Sequence, residues 1–134
     1  MTESGDIFRE VAQAAGDIVF KYDLKTKKFM QYSDKSELSK YGSWLQDFDF
    51  AMVNANMIYQ EDVESFLKLT TRIKRGESGT IEGIFRMRLH ISSDYRWYRL
   101  IARTKYDCDG PVEVLGRVAD INNYMTSKER SDSG

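Results

Sequence analysis

The chain carries one thiol, Cys108, and one imidazole, His90. A single cysteine excludes an internal disulfide framework and any multi-cysteine zinc site. A single histidine could serve a triad but not a site built from several. Cys108 stands between Asp107 and Asp109 in a run, Asp107 to Pro111, that reads as a turn. Two flanking carboxylates are the opposite of the electropositive surroundings that make a thiol reactive, so Cys108 reads as an exposed turn thiol. His90 shares a strand phase with Arg86 and Arg88 and reads as solvated. The densest charge feature is the set Arg86, Arg88, Arg96, Arg99 and Arg103. Arginines on paired strands can converge on a carboxylate or phosphate. The preferred reading is that they pair with Glu82, Glu113 and Asp120, or lay their stems over the outer sheet face. No acid and base stand at a fixed spacing, so no catalytic residue and no metal ligand set is assigned, and an enzymatic reading through a lone Asp or Tyr has no support. The six methionines read mostly as gap-filling core, although a methionine can also ligate a haem.

These residues belong to a chain of 134 residues, the length of one compact domain able to bury a core without disulfides or metals. Hydrophobic residues make up 41% and charged residues 31%, a balance typical of a globular domain. Twenty Lys and Arg stand against 21 Asp and Glu, a net charge of -1. That balance argues against nucleic acid as a partner and against a polybasic membrane anchor. No apolar run approaches the roughly 20 residues of a membrane helix, so direct membrane insertion is not expected. The charges at Glu3, Asp6, Arg9, Glu10 and Asp17 leave no signal-peptide core, and the expected compartment is the cytoplasm.

Ser4 to Ala15 has the spacing of an amphipathic helix, with Ile7, Phe8, Val11, Ala14 and Ala15 on one face and Gly16 to end it. Ile18, Phe20, Tyr22 and Leu24 then alternate as a strand, and after a polar turn at Lys25 to Lys28 a second strand runs from Phe29 to Ser33, giving a hairpin. Asp34 to Met57 carries the apolar residues Trp44, Leu45, Phe48, Phe50, Met52 and Val53 without a single period, and reads as short helices and loops wrapped on a core. From Asp62 a helix places Val63, Phe66, Leu67, Thr70 and Ile73 inward and Glu64, Lys68, Arg72 and Lys74 outward, ending at Gly76. Strand patterns follow at Ile81 to Ile91, Tyr95 to Tyr106 and Val112 to Ala119, joined by turns at Ser92 to Asp94 and Asp107 to Pro111. Short turns impose antiparallel neighbours. The expected fold class is α+β: a five-stranded antiparallel sheet with helices on one face, plus the N-terminal amphipathic helix.

Four stretches in this order resemble the PAS sensor domains. They are Asp17-Ile-Val-Phe-Lys-Tyr-Asp23, Ile58-Tyr-Gln-Glu-Asp-Val63, Phe85-Arg-Met-Arg-Leu89 with Tyr95-Arg-Trp-Tyr98, and Asp109-Gly-Pro through Leu115-Gly-Arg-Val-Ala-Asp-Ile121. They look like the family's opening strand, its His-Pro-Glu-Asp helix start, its paired central strands and its closing strand with the Asp-Ile-Thr end. The likeness covers roughly residues 16 to 124 and is greatest to the PAS fold-3-like kind found upstream of diguanylate cyclase or histidine kinase domains. It implies residues 1–15 as a flanking helix, 16–124 as the PAS domain, and 125–134 as the start of a linker helix or a tail.

The resemblance also implies reception of a signal, by a small ligand or a partner contact, and its transmission to an adjacent output domain in cyclic-di-GMP or kinase signalling. The alternative is a ligand-free dimerisation module of the same fold. Ligand-pocket candidates are Phe66, Leu67, Thr70 and Ile73 on the long helix with Phe85, Met87 and Leu89, although the size of these side chains favours a filled interior. Asp120 and Ile121 form the implied signal-output junction, Asp120 also being suited to cap a following helix. The cofactor is left unknown. Cysteinyl-flavin chemistry is not expected from a turn cysteine such as Cys108. Histidine-ligated haem is not expected either, because the long helix carries Val63, Phe66 and Ile73 where haem-binding relatives place a ligand. A homodimer is expected through the N-terminal helix and an outer sheet face on which Trp97, Tyr98 and Leu100 suggest incomplete solvation. The chain has no Gly-Gly-Asp-Glu-Phe run, so it is expected to carry no cyclase activity itself, and any catalytic output domain would lie outside it.

Overall fold

The structure, a computed structural model, describes residues 17–31 and 47–126. The amphipathic helix expected over Ser4 to Ala15, residues 32–46 of the irregular segment, and the tail after Thr126 lie outside the described residues. The first hairpin is β1 (Ile18–Asp23) and β2 (Lys28–Gln31). The turn between them is set by Asp23, whose Oδ1 accepts the backbone N–H of Lys25 at 2.9 Å and of Thr26 at 3.2 Å. Helix α1 (Phe48–Asn54) leads through a short 3-10 turn (Gln60–Asp62) into α2 (Val63–Lys74). Strands β3 (Thr80–Met87), β4 (Arg96–Asp107) and β5 (Gly110–Asp120) follow.

The five strands form one antiparallel sheet in the order β2-β1-β5-β4-β3. The first hairpin therefore docks beside the last strand, with Ile18 opposite Val118 and Tyr22 opposite Val114. Period-two alternation turns Phe20, Tyr22, Ile81, Phe85, Tyr98, Leu100, Val114 and Val118 to one face, where the helices cover them. Rings from three elements stack there: Phe29 lies 4.2 Å from Phe48 and 5.4 Å from Phe20 between centroids. Phe66 of α2 meets Phe85 of β3 edge-on at 5.0 Å, a geometry worth about 0.5–1.5 kcal/mol beyond the area buried. Gly116 is required by this packing, because a Cβ there would enter the Phe20 ring and lie 2.9 Å from the Ala102 Cβ.

The structure corrects four readings. On α2 the fully buried face is Phe66, Leu69, Thr70 and Ile73, with Leu67 only partly buried. Tyr98 and Leu100 point into the core and so give no support for an apolar outer face. β3 stops at Met87, so Leu89, His90 and Ile91 fall in a loop. Its edge is captured instead by the chain before α2: Ile58 bridges Met87, and Arg88 N–H donates to Met57 C=O at 2.9 Å. Lys74 is no solvated charge either. Its Nζ reaches the buried Asp49 Oδ1 at 2.7 Å, while Thr70 Oγ1 donates to Asp49 Oδ2 at 2.8 Å. This network pins α1 to α2 across a carboxylate only 2% exposed.

Helix α2 ends as its glycine requires. Gly76 adopts φ +62, its N–H reaches Ile73 C=O, and Glu77 N–H returns to Arg72 C=O, the two bonds of a Schellman cap.

Two substitutions test this packing by urea unfolding. Lys74→Ala leaves the Asp49 carboxylate buried without its cation and is expected to cost about 3–5 kcal/mol, whereas Asp49→Leu combined with Lys74→Met costs far less. Gly116→Ala is expected to cost about 1–3 kcal/mol, part of which Phe20→Leu restores by making room.

Candidate functional site

Between the sheet and the helices lies a void of about 30 Å³. Its sheet wall is formed by Ile18 and Phe20 of β1, Phe29 of β2, Leu100 of β4 and Val118 of β5. Phe48 and Met52 of α1, Phe66 of α2, and Phe85 and Met87 of β3 complete the lining, with Gln31 as the polar residue. A volume of this size admits about one or two water-sized molecules. Larger occupants require side chains to move, and the unbranched Met52 and Met87 are the ones best able to do so.

Of the seven residues proposed from the sequence, Phe66, Phe85 and Met87 line the void. Thr70 and Ile73 are fully buried but lie elsewhere, Thr70 being committed to Asp49. Leu67 and Leu89 are partly buried against the core and do not reach the lining. Sequence reasoning missed the contributions of β1, β2 and α1. The alternation of Ile18, Phe20 and Tyr22 signalled which side chains point inward, but not that the first hairpin would share a wall with α2. His90 is exposed in the loop after β3, and Cys108 is exposed at the β4–β5 turn, so the only imidazole and the only thiol in the chain lie outside the void. At that turn Asp107, Cys108 and Asp109 bring two carboxylates and the thiol within 4.8 Å of one another, all exposed.

A second polar centre holds the start of α2 to the sheet. Arg86 of β3 donates from Nε to Asp62 Oδ2 and from Nη2 to Asp62 Oδ1, both at 2.9 Å, and its backbone N–H adds a third bond to Oδ2 at 2.8 Å. The guanidinium lies between two rings, 4.0 Å from the Tyr59 centroid and 4.7 Å from that of Trp97. Bidentate pairing and stacking together are what a planar guanidinium does and an ammonium does not. The hydrogen bonds from the Arg86 side chain hold the Asp62 carboxyl below its ordinary range, against the opposing effect of burial. Arg86 was assigned from the sequence to Glu82, Glu113 or Asp120, so this pairing is a correction. Glu82 is bonded instead by Arg99.

The chain leaves the sheet at a third centre. Arg96 Nε donates to Asp120 Oδ2 at 2.7 Å, and Asp120 Oδ1 accepts Asn122 N–H at 2.9 Å. Ile121 N–H donates to Trp97 C=O, and Asn122 Oδ1 accepts Trp97 N–H. Residues 122–126 then turn as a helix, Met125 N–H returning to Ile121 C=O. Asp120 thus caps the helical turn and braces it against β4 together. Hydrogen bonding to Asp120 raises the Arg96 pKa further. Burial, reinforced by the Asp120 charge, pushes the Tyr98 hydroxyl up.

The element order, the strand order and a helix-covered cup can now be set beside known structures. A sensory box histidine kinase/response regulator from Burkholderia thailandensis superposes with a TM-score of 0.66 at 14% identity, covering 94% of this chain and 92% of that one. The N-terminal domain of a diguanylate cyclase with PAS/PAC sensor from Marinobacter aquaeolei gives 0.60 at 23% identity, covering 81% and 98%. A PAS domain from Colwellia psychrerythraea gives 0.51 at 19% identity, covering 87% and 98%. The fold is that of a PAS domain. No family model and no curated protein matches the sequence. Among the described residues of this PAS fold, no helix is long and apolar enough to cross a membrane.

The Asp62–Arg86 pair has a pH signature. Its folded-state pKa is depressed, so its stabilisation is complete above the unfolded value of 3.8 and is lost as pH falls through the folded value. Asp62→Asn is therefore expected to lower stability at neutral pH and to flatten the loss below about pH 4. Urea midpoints across that range measure it; equal slopes for both proteins would remove the pair from the acid limb.

Proposed function

We propose that this chain is a non-catalytic sensory or regulatory PAS domain that receives a signal, by a small ligand or a partner contact, and passes it through Asp120 and Ile121 to an adjacent output domain. The observation that carries the reading is the junction. The exit of β5 is tied to β4 by the Arg96–Asp120 pair and by both backbone groups of Trp97, and Trp97 is itself stacked on the arginine that holds α2. A change at the start of α2 therefore has a route to the departing helical turn through Arg86 and Trp97. The domain itself is assigned to residues 16–124, with 1–15 and 125–134 as flanks. The neighbours in fold come from a histidine kinase/response regulator and a diguanylate cyclase, which supports kinase or cyclic-di-GMP signalling as the setting; the cytoplasm is the proposed compartment. Phe66, Phe85 and Met87 are the proposed ligand contacts.

The second reading, a ligand-free dimerisation or interaction module, is favoured by the size of the void, about 30 Å³. The outer sheet face supports a homodimer. Ile101 and Leu115, both half-buried, line a depression on that face.

Absorption spectroscopy and native mass spectrometry of the purified protein separate the two. A copurified small molecule that is lost on Phe66→Trp, with the fold retained, is the result expected for a ligand sensor. A bare polypeptide running as a dimer by light scattering assigns it to the interaction module, and a bare monomer at high concentration removes the homodimer.

A further inference from the structure

Among the described residues β3 is an edge strand, and only its second half is covered. Tyr59 N–H donates to Arg86 C=O at 3.0 Å, Arg86 N–H to Asp62, and Arg88 N–H to Met57 C=O. Backbone groups alternate in direction along a strand. Glu82 and Ile84 share the phase of Arg86 and face β4 in an unbroken register, Glu82 opposite Ile101 and Ile84 opposite Arg99. Their N–H and C=O groups therefore also point out of the sheet, and no backbone partner meets them among the described residues. Such an edge is a ready template for another strand.

α2 runs beside this open stretch and leaves a groove of about 230 Å³. Its floor is Leu69 against Gly83, where a Cβ would come within 3.1 Å of the leucine. Ile84, 47% exposed, forms one lip, and Ser65, Lys68 and Arg72 form the helical wall. Lys68 and Arg72 have only exposed partners, Glu64 at 3.3 Å and Glu77 at 2.9 Å. Pairs of that kind contribute about 0–1 kcal/mol and exchange readily. Glu82, across the groove, is occupied by Arg99.

We propose that this groove binds an extended peptide segment, added to β3 as a sixth strand, with acidic side chains directed at Lys68 and Arg72. Main-chain bonds to Glu82 and Ile84 supply the pairing, and the basic helical wall supplies the selection. Charge favours an acidic segment over a second copy as the occupant, since a two-fold pairing of β3 with β3 would bring two sets of Lys68 and Arg72 to one face. The site is separate from the interior void and from the β5 exit.

The test is a titration of the isotope-labelled protein with acetyl-Thr-Val-Glu-Val-Glu-Val-Thr-amide, followed by NMR. Saturable shifts at Glu82 to Ile84 are expected, with slowed amide exchange at Glu82 and Ile84. The same peptide with lysine for glutamate is expected to bind at least about tenfold more weakly, a difference of roughly 1.4 kcal/mol. Ile84→Pro removes an N–H that meets no partner among the described residues, and is expected to abolish binding while keeping the circular dichroism spectrum. Lys68→Glu with Arg72→Glu, both on the helix surface, is expected to reverse the peptide preference and serves even if the proline variant unfolds. Shifts elsewhere, no saturation at millimolar peptide, or unchanged binding in both variants would overturn the proposal. So would a dimer of the free protein that Ile84→Pro abolishes, which would assign the groove to a second copy.

Discussion

The geometry of this domain turns on one carboxylate and one guanidinium. Asp62 stands at the entrance to α2 and Arg86 on the edge strand, 24 residues apart, and three hydrogen bonds join them. Without that pair the helix would be tethered to the sheet chiefly by apolar contact, which sets distance but not direction. With it, the preceding segment is drawn onto the edge of β3, Ile58 bridges Met87, and Phe66 is brought over Phe85. The pair is partly shielded from water by Tyr59 and Trp97, so the charge is neutralised where desolvation would otherwise oppose it.

A second polar anchor works at the other end of the helix. Asp49, enclosed with Thr70 and Lys74, fixes α1 against the last turn of α2. The two anchors bracket the wall that Phe66 contributes to the void. Between them the packing is almost wholly apolar, and the void is small because aromatic rings from β1, β2 and α1 stack into it. The cup is thus rigid at its polar ends and adaptable only where Met52 and Met87 line it.

Trp97 links these parts to the exit of the chain. Its ring packs on Arg86, and its backbone holds Ile121 and Asn122. Trp97 thus belongs by its ring to the helix anchor and by its main chain to the departing segment. The reactive groups stand apart: Cys108 at a hairpin tip and His90 in a loop.

Much of this was legible in the residues. Alternation at Ile18 to Tyr22, Ile81 to Met87 and Val112 to Val118 determined the strands and their inward faces, because period two is a property of the backbone. Gly76 determined where α2 stops, since the cap needs a positive φ that glycine takes at little cost. The pairing of β1 with β5, on which one wall of the void depends, was decided only in three dimensions, because it joins strands about a hundred residues apart. The same holds for the partners of the charges. Spacing placed Lys74 on the outer side of its helix and offered Arg86 three carboxylates, none of them Asp62. Ion pairs form between whichever side chains packing brings within reach, and a buried Asp49 or an edge-bound Asp62 acquires its partner only once the apolar faces have set the helices in place.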